Sequence, residues 1–231
     1  MSLLMITGAL VFRSPGESVT TKTPCPTGSS RTSAKARAPG LTLLAIGHSI
    51  GGHAVLLSSA STDLRAAVMV ASHAGVTSTI SQTKEKLRVW CLLRVLGPAL
   101  CRLFGYMPAR RLGLGEDLPA PAMLQWGRWS AMPEYFYDDP EWDACQRAGK
   151  ITLPILVLGF DDDPWANTEA ISRLLAPAQN AKIERREIRR ADYGLSSIGH
   201  MGFFRTRNAE KLWPLVAQWL ERHCPDKRRT T

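Results

Sequence analysis

The sequence predicts an α/β fold, a parallel sheet flanked by helices, and three observations carry that prediction. Short apolar runs alternate with helix-forming stretches from Leu41 onward, a glycine-flanked serine stands where one run gives way to a helix, and three aspartates close another run. Strands that alternate with helices pair in parallel, because each crossover helix returns the chain to the same end of the sheet. The chain has 231 residues, 45% of them hydrophobic, which suits one sizeable core and one domain better than two.

Along the chain, residues 13–40, RSPGESVTTKTPCPTGSSRTSAKARAPG, are rich in Ser, Thr, Pro and Gly and have no apolar period. Residues 1–40 are therefore read as a tail outside the core, disordered over its polar part. The core is expected over residues 41–223. LTLLAI (41–46) reads as a strand, Ile50 to about Ala60 as a helix, and AAVMVAS (66–72) as a second strand. Residues 77–150 break this rhythm. There Leu87, Trp90, Leu93, Leu96, Leu100 and Phe104 recur near helical spacing, so the segment is placed as a helical cap insert over one end of the sheet. Packing on the core is favoured for it over an amphipathic contact with a membrane. LPILVLGF (153–160) and KIERREI (182–188) are the remaining strands, with helices near 167–176 and over 208–223. Residues 224–231 form a basic C-terminal tail. No internal repeat is present.

Lys and Arg number 29 against 20 acids, a formal charge of +9. Five basic side chains and one acid lie in the first 40 residues, so four of the nine excess charges sit there. Apart from Lys227–Arg229 the rest are scattered and lack the interleaved aromatics of a nucleic-acid surface, so nucleic acid is not an expected partner. Cys25, Cys91, Cys101, Cys145 and Cys224 are an odd, widely spaced set without metal-ligand or redox spacing. They imply a reducing, cytoplasmic setting. The start has an apolar run but no basic residue ahead of it, which disfavours a signal peptide, and no apolar run reaches about 18 residues.

The chemistry centres on AIGHSIGG. A Gly-x-Ser-x-Gly pentapeptide is weak alone, but here it follows an apolar strand and opens a helix. Such a sharp turn exposes the Ser49 hydroxyl. Gly47 and Gly51 remove collisions beside it, and Gly52 lets the helix pack closely on the sheet. The backbone amide of Ile50 is placed to hold an oxyanion. The competing reading is a glycine-rich turn whose serine merely caps the helix. A nucleophilic serine needs a base, and the base needs a carboxylate. Of five histidines, His48 is too near in sequence to fold back on Ser49, His53 lies a turn into the helix, and His223 ends the last helix. His73 lies just beyond the strand after the turn. His200, in SSIGHMGFF after the last strand, arrives at the same sheet end as Ser49. Asp161, Asp162 and Asp163 close a strand where parallel sheets put their active groups. Two of the three are expected to do no more than favour the following helix N-terminus. The order Ser, Asp, His is that of α/β-hydrolases among serine-nucleophile folds.

These residues carry a resemblance. AIGHSIGG, GFDDDPWA and IGHMGFF, joined by VLGPALCRLFGYMPARRLGLGEDLPAPAMLQWGRW, are similar to bacterial α/β-hydrolases of unknown substrate over roughly Leu41 to His223. The resemblance implies a Ser-His-Asp hydrolase: Ser49 the nucleophile, His200 the general base and acid, and Asp163 the orienting carboxylate, with Asp162 as the alternative acid. It implies a cap that shapes an acyl pocket for a small-molecule substrate, apolar on the Trp and Leu content of the insert. No metal or organic cofactor is implied.

The family carries several strands before its nucleophile and a second oxyanion donor after the third strand. Here 48 residues precede Ser49 and no His-Gly pair occurs, so a truncated α/β-hydrolase fold is expected, with a bare sheet edge that an oligomer could cover. A missing oxyanion donor would cost about 2.7–4 kcal/mol of transition-state stabilisation. Read one base earlier, the codons of Met5 and Ile6 force Asp, and their neighbours permit the Tyr-Asp-Tyr-Arg-Gly-Ile-Gly-x-Ser of the family's fourth strand. Residues 1 to about 36 are accordingly expected to be an out-of-frame translation. The functional expectation is a serine hydrolase of an ester or related acyl bond. The alternatives are a catalytically impaired remnant of one and a non-enzymatic binding module.

Overall fold

The structure, a computed structural model, describes residues 3–6, 9–12, 42–113 and 116–224. The polar tail expected over 13–40, and the C-terminal tail beyond Cys224, lie outside them. Strands β1 (Leu3–Ile6), β2 (Ala9–Phe12), β3 (Leu44–His48), β4 (Ala66–Val70), β7 (Pro154–Phe160) and β8 (Lys182–Ile188) form one sheet in the order β1-β2-β3-β4-β7-β8. Strands β5 (Tyr106–Met107) and β6 (Leu118–Pro119) form a separate two-stranded ribbon. Helices α1 (Ile50–Leu57), α6 (Thr168–Leu175) and α7 (Ala209–His223) flank the sheet, and α2 (Thr83–Cys91), α3 (Gly97–Phe104), α4 (Ala120–Trp129) and α5 (Ala144–Gly149) lie between β4 and β7.

The four strands β3, β4, β7 and β8 are parallel throughout, as the alternation of strands and helices requires. Burial explains their composition. Every residue of β4 is buried, and Ile155 to Leu158 of β7 are fully so, because neighbours and helices cover both strands. Strand β8, at the edge, reads Lys-Ile-Glu-Arg-Arg-Glu-Ile and leaves charged side chains partly exposed, which discourages pairing with another chain.

The other edge differs from expectation. The edge of β3 is not bare: β2 pairs with it antiparallel, from Ala9 opposite Gly47 to Phe12 opposite Leu44, and β1 pairs in turn with β2. The run Ala-Leu-Val-Phe is long enough to satisfy the outward backbone groups of β3, and backbone pairing asks little else of a sequence.

The cap has its own architecture. Helix α2 continues as a π-helical stretch over Leu92–Leu96 into α3, where Pro98 sits in the first turn, and Gly105 in the left-handed region ends it. Leu93, Cys101, Met107, Ala109 and Met123 form a small apolar cluster separate from the main core.

Candidate active site

Three strand ends build the site. Ser49, between β3 and α1, has φ 50° and ψ −118°, a conformation that side-chain-bearing residues rarely adopt. Two backbone hydrogen bonds hold it: its N–H donates to the Val70 carbonyl at 2.9 Å, and its own carbonyl accepts from the Gly52 N–H at 3.0 Å. The surrounding glycines are dictated by space. A Cβ on Gly47 would stand 2.5 Å from the Gly51 carbonyl oxygen, and one on Gly52 would stand 2.2 Å from Ser72 Oγ, just past β4.

His200 lies in the loop between β8 and α7, 151 residues from Ser49, and the two side chains meet. The Ser49 hydroxyl is 2.9 Å from His200 Nε2, and His200 Nδ1 is 2.8 Å from Asp163 Oδ2. With the proton on Nδ1, the imidazole donates to the carboxylate and accepts from the hydroxyl. The Asp163 side chain is wholly buried. Burial alone would push its carboxyl up, but the hydrogen bond and charge of His200, with the Ala166 and Trp165 amides, hold it below the ordinary value. Those two N–H groups donate to Oδ1 at 3.1 and 2.9 Å.

The adjacent acids do other work. Asp162 accepts from the Gly199 N–H at 2.7 Å, the Ile198 N–H at 2.9 Å and the Ser197 hydroxyl at 3.1 Å, so it holds the loop that carries His200. Asp161 accepts from the Arg190 N–H at 3.0 Å. Neither caps the following helix, contrary to expectation. Asn167 does so, its side chain accepting from the Ala170 N–H, because it is the residue that immediately precedes the first turn.

The other histidines also have places here. The side chain of His48 turns to His200: its Nε2–H donates to the His200 carbonyl at 2.8 Å, and its ring lies 5.1 Å from that of His200. His53 donates from Nε2 to the His73 carbonyl at 2.9 Å, and His73 donates from Nδ1 to the Ala71 carbonyl at 3.2 Å. Burial lowers the pKa of His48, His53 and His73, that of His53 to about 4. All three are neutral at pH 7, and the site gains no positive charge from them. Reasoning from the sequence missed Trp165. Its ring packs 4.8 Å from His200, and its indole N–H donates to Glu85 of α2 at 2.7 Å, with Arg88 forked on the same carboxylate. The only local signal was an aromatic two residues after Asp163.

Ser49 and His73 open into a cavity of about 310 Å³ walled by Val89, Leu92, Leu93, Met107, Met123 and Trp126 of the cap. Most of these belong to the cap's own apolar cluster, so the cap packs around the cavity. Ile50 heads α1, and its N–H has no hydrogen-bond partner among the described residues. Among those residues no group of three or more His, Cys, Asp or Glu could hold a metal ion, and no helix is long and apolar enough to cross a membrane.

No protein-family model matches the chain, and no curated protein does. Solved structures do. A soluble variant of monoglyceride lipase from Saccharomyces cerevisiae, in complex with a substrate analog, aligns at 15% identity with a TM-score of 0.52, covering 84% of this chain and 66% of that one. A monoacylglycerol lipase from Paleococcus ferrophilus aligns at 16% identity with a TM-score of 0.45, covering 77% and 67%. The chain thus spans about two thirds of the length of these proteins, and the likeness to the Saccharomyces lipase, at 15% identity, is one of fold.

Proposed function

We propose, from the α/β-hydrolase fold that this chain has, that it is a serine hydrolase cleaving an ester or related acyl bond. The observation that carries the reading is the continuous hydrogen-bonded line from Ser49 Oγ through His200 to Asp163, at 2.9 and 2.8 Å, on a serine held in a strained turn. Ser49 is the nucleophile. As its oxygen bonds to the acyl carbon, its proton passes to His200 Nε2, and the Asp163 carboxylate stabilises the imidazolium from the far side. The carbonyl oxygen becomes an oxyanion, to which the Ile50 N–H donates. Collapse expels the leaving group, which takes the proton from His200, and water activated by the same imidazole releases the acid and restores Ser49.

His48 and Asp162 fix the backbone on either side of the His200 ring. The apolar wall supports an apolar acyl group as the substrate's buried part, and the chemistry needs no metal or organic cofactor. Among the described residues Cys91, Cys101, Cys145 and Cys224 form no disulfide with one another.

Fluorophosphonate labelling tests the reading, with circular dichroism to establish folding. The parent should label, and Ser49→Ala and His200→Ala should not. A folded parent that fails to label would overturn the reading in favour of a catalytically silent chain with a hydrolase-like arrangement.

A further inference from the structure

A second cleft of about 770 Å³ lies on the outer side of α2, away from Ser49. Helix α2 separates the two spaces. Arg88, Val89, Leu92 and Leu93 line the Ser49 cavity, whereas Thr83, Lys86, Leu87, Trp90 and Arg94 line the outer cleft, at intervals of three, one, three and four residues that trace one helical face. Thr77 and Arg173 face them from the far walls.

Two buried side-chain polar atoms among the described residues have no hydrogen-bond partner, Thr77 Oγ1 and Arg94 Nε, and both residues line this cleft. Thr77 is more than nine-tenths buried. Its N–H is satisfied by the Ser130 carbonyl, which leaves the hydroxyl alone unmatched. Buried polar groups are rarely left so, and a pair in one cleft marks where a partner belongs. The cleft's charge says what kind. Lys86, Arg94 and Arg173 line it and no carboxylate does. Arg173 is committed to the Pro133 carbonyl, Glu169 and Glu134, but Lys86 and Arg94 have no ion-pair partner among the described residues. Between them Leu87 and Trp90 are 60% and 44% exposed and give the cleft an apolar floor.

We propose that this cleft binds an oxyanion carried on an aliphatic tail, a phosphate or carboxylate headgroup, with Arg94, Lys86 and the Thr77 hydroxyl donating to its oxygens and Leu87 and Trp90 covering the tail. A guanidinium, an ammonium and a hydroxyl together match a group that only accepts hydrogen bonds. A bare anion would leave the apolar floor in water, and a neutral alcohol would leave the cations unmatched.

The test is a titration of the full chain, labelled with ¹⁵N at tryptophan, with octyl phosphate. It follows the indole N–H of Trp90, assigned through Trp90→Phe, against those of Trp126 and Trp165 in the Ser49 cavity. The Trp90 signal should shift saturably, and Lys86→Gln and Arg94→Gln should each weaken the apparent Kd by at least tenfold. Lys86 is partly exposed, so its variant keeps the test valid should Arg94→Gln fail to fold. Inorganic phosphate should bind more weakly than octyl phosphate, and octanol should leave Trp90 unmoved. Shifts confined to Trp126 and Trp165, an unchanged Kd in Lys86→Gln, equal affinity for inorganic phosphate, or an equal response to octanol would each overturn the proposal.

Discussion

The sheet end that holds Ser49 and the cap that covers it are built on opposite plans. At the sheet end every wall is shared: Ser49 is pinned by a carbonyl from β4, His200 by a ring from β3, and Asp163 by its own loop and by His200. In the cap the small apolar cluster also lines the cavity, and Leu87, Trp90, Val95, Leu96, Leu103, Phe104 and Leu112 are exposed. Positions that must not move are over-determined by packing and hydrogen bonds. The cap wall leaves a cavity and keeps apolar side chains at its surface.

The contrast sharpens most at the paired acids. Asp163→Asn, which disturbs the tautomer and charge facing His200, should lower turnover on the order of 10⁴-fold with folding intact. Asp162→Asn, which only weakens the hold on the 197–199 loop, should lose far less activity and about 2 kcal/mol of stability, read by urea denaturation. Equal losses of turnover would show that the two carboxylates are not divided between chemistry and scaffolding.

A core and a cap leucine make the same comparison in stability alone. Leu156, fully buried in β7, should cost about 2–5 kcal/mol when replaced by Ala. Leu103→Ala, at a residue 72% exposed in α3, should change stability by less than about 0.5 kcal/mol. A large effect at Leu103 would mean that the cap face is covered in solution.

Acid should weaken the sheet end. His53 titrates near 4 in the folded chain against about 6.5 unfolded, so the unfolded state binds more protons between these values, and stability falls as pH drops through that window. His48 and His73 shift in the same direction. The His53 contribution is on the order of 3 kcal/mol. Urea midpoints at pH 7 and pH 4.5 should separate accordingly, and His53→Gln should reduce the separation.

A modest effect is expected where the two regions touch. Trp165→Phe keeps the aromatic contact with His200 and removes the hydrogen bond to Glu85, at a cost of about 1 kcal/mol. Its signature should be a raised KM with kcat nearly kept, because α2 forms one wall of the cavity.

Much of the sheet end was legible in the sequence. The sequence bounds strand β8 at Lys182 and Ile188, and the turn glycines and the chain order point to Ser49 and His200, whereas the strand end offers three aspartates and only the family resemblance favours Asp163, the one that meets His200. What could not be read depends on distant contacts. The pairing of β2 with β3 is a backbone event between segments more than 30 residues apart, and nothing in Ala-Leu-Val-Phe announces it. Nearness in sequence keeps His48 from folding back on Ser49, yet a ring adjacent to Ser49 still reaches the His200 carbonyl. Asp162 and Asp163 are chemically alike, and only the direction each carboxylate faces divides their roles. The link from Trp165 to Glu85 spans 80 residues. The π-helical turn in the cap has no local sequence signature.

The spacing of the three meeting residues bears on how the molecule forms. Ser49 and His200 are 151 residues apart and Asp163 and His200 are 37 apart, so their geometry exists only after β3, β4, β7 and β8 have lined up side by side. Contacts of such long sequence separation close late in folding, because the chain loses its loop entropy before they return anything. Local helices can therefore appear on refolding well before Ser49 gains its partner. Secondary structure and the contact of Ser49 with His200 become two clocks, and the interval between them measures how long the parallel sheet takes to assemble.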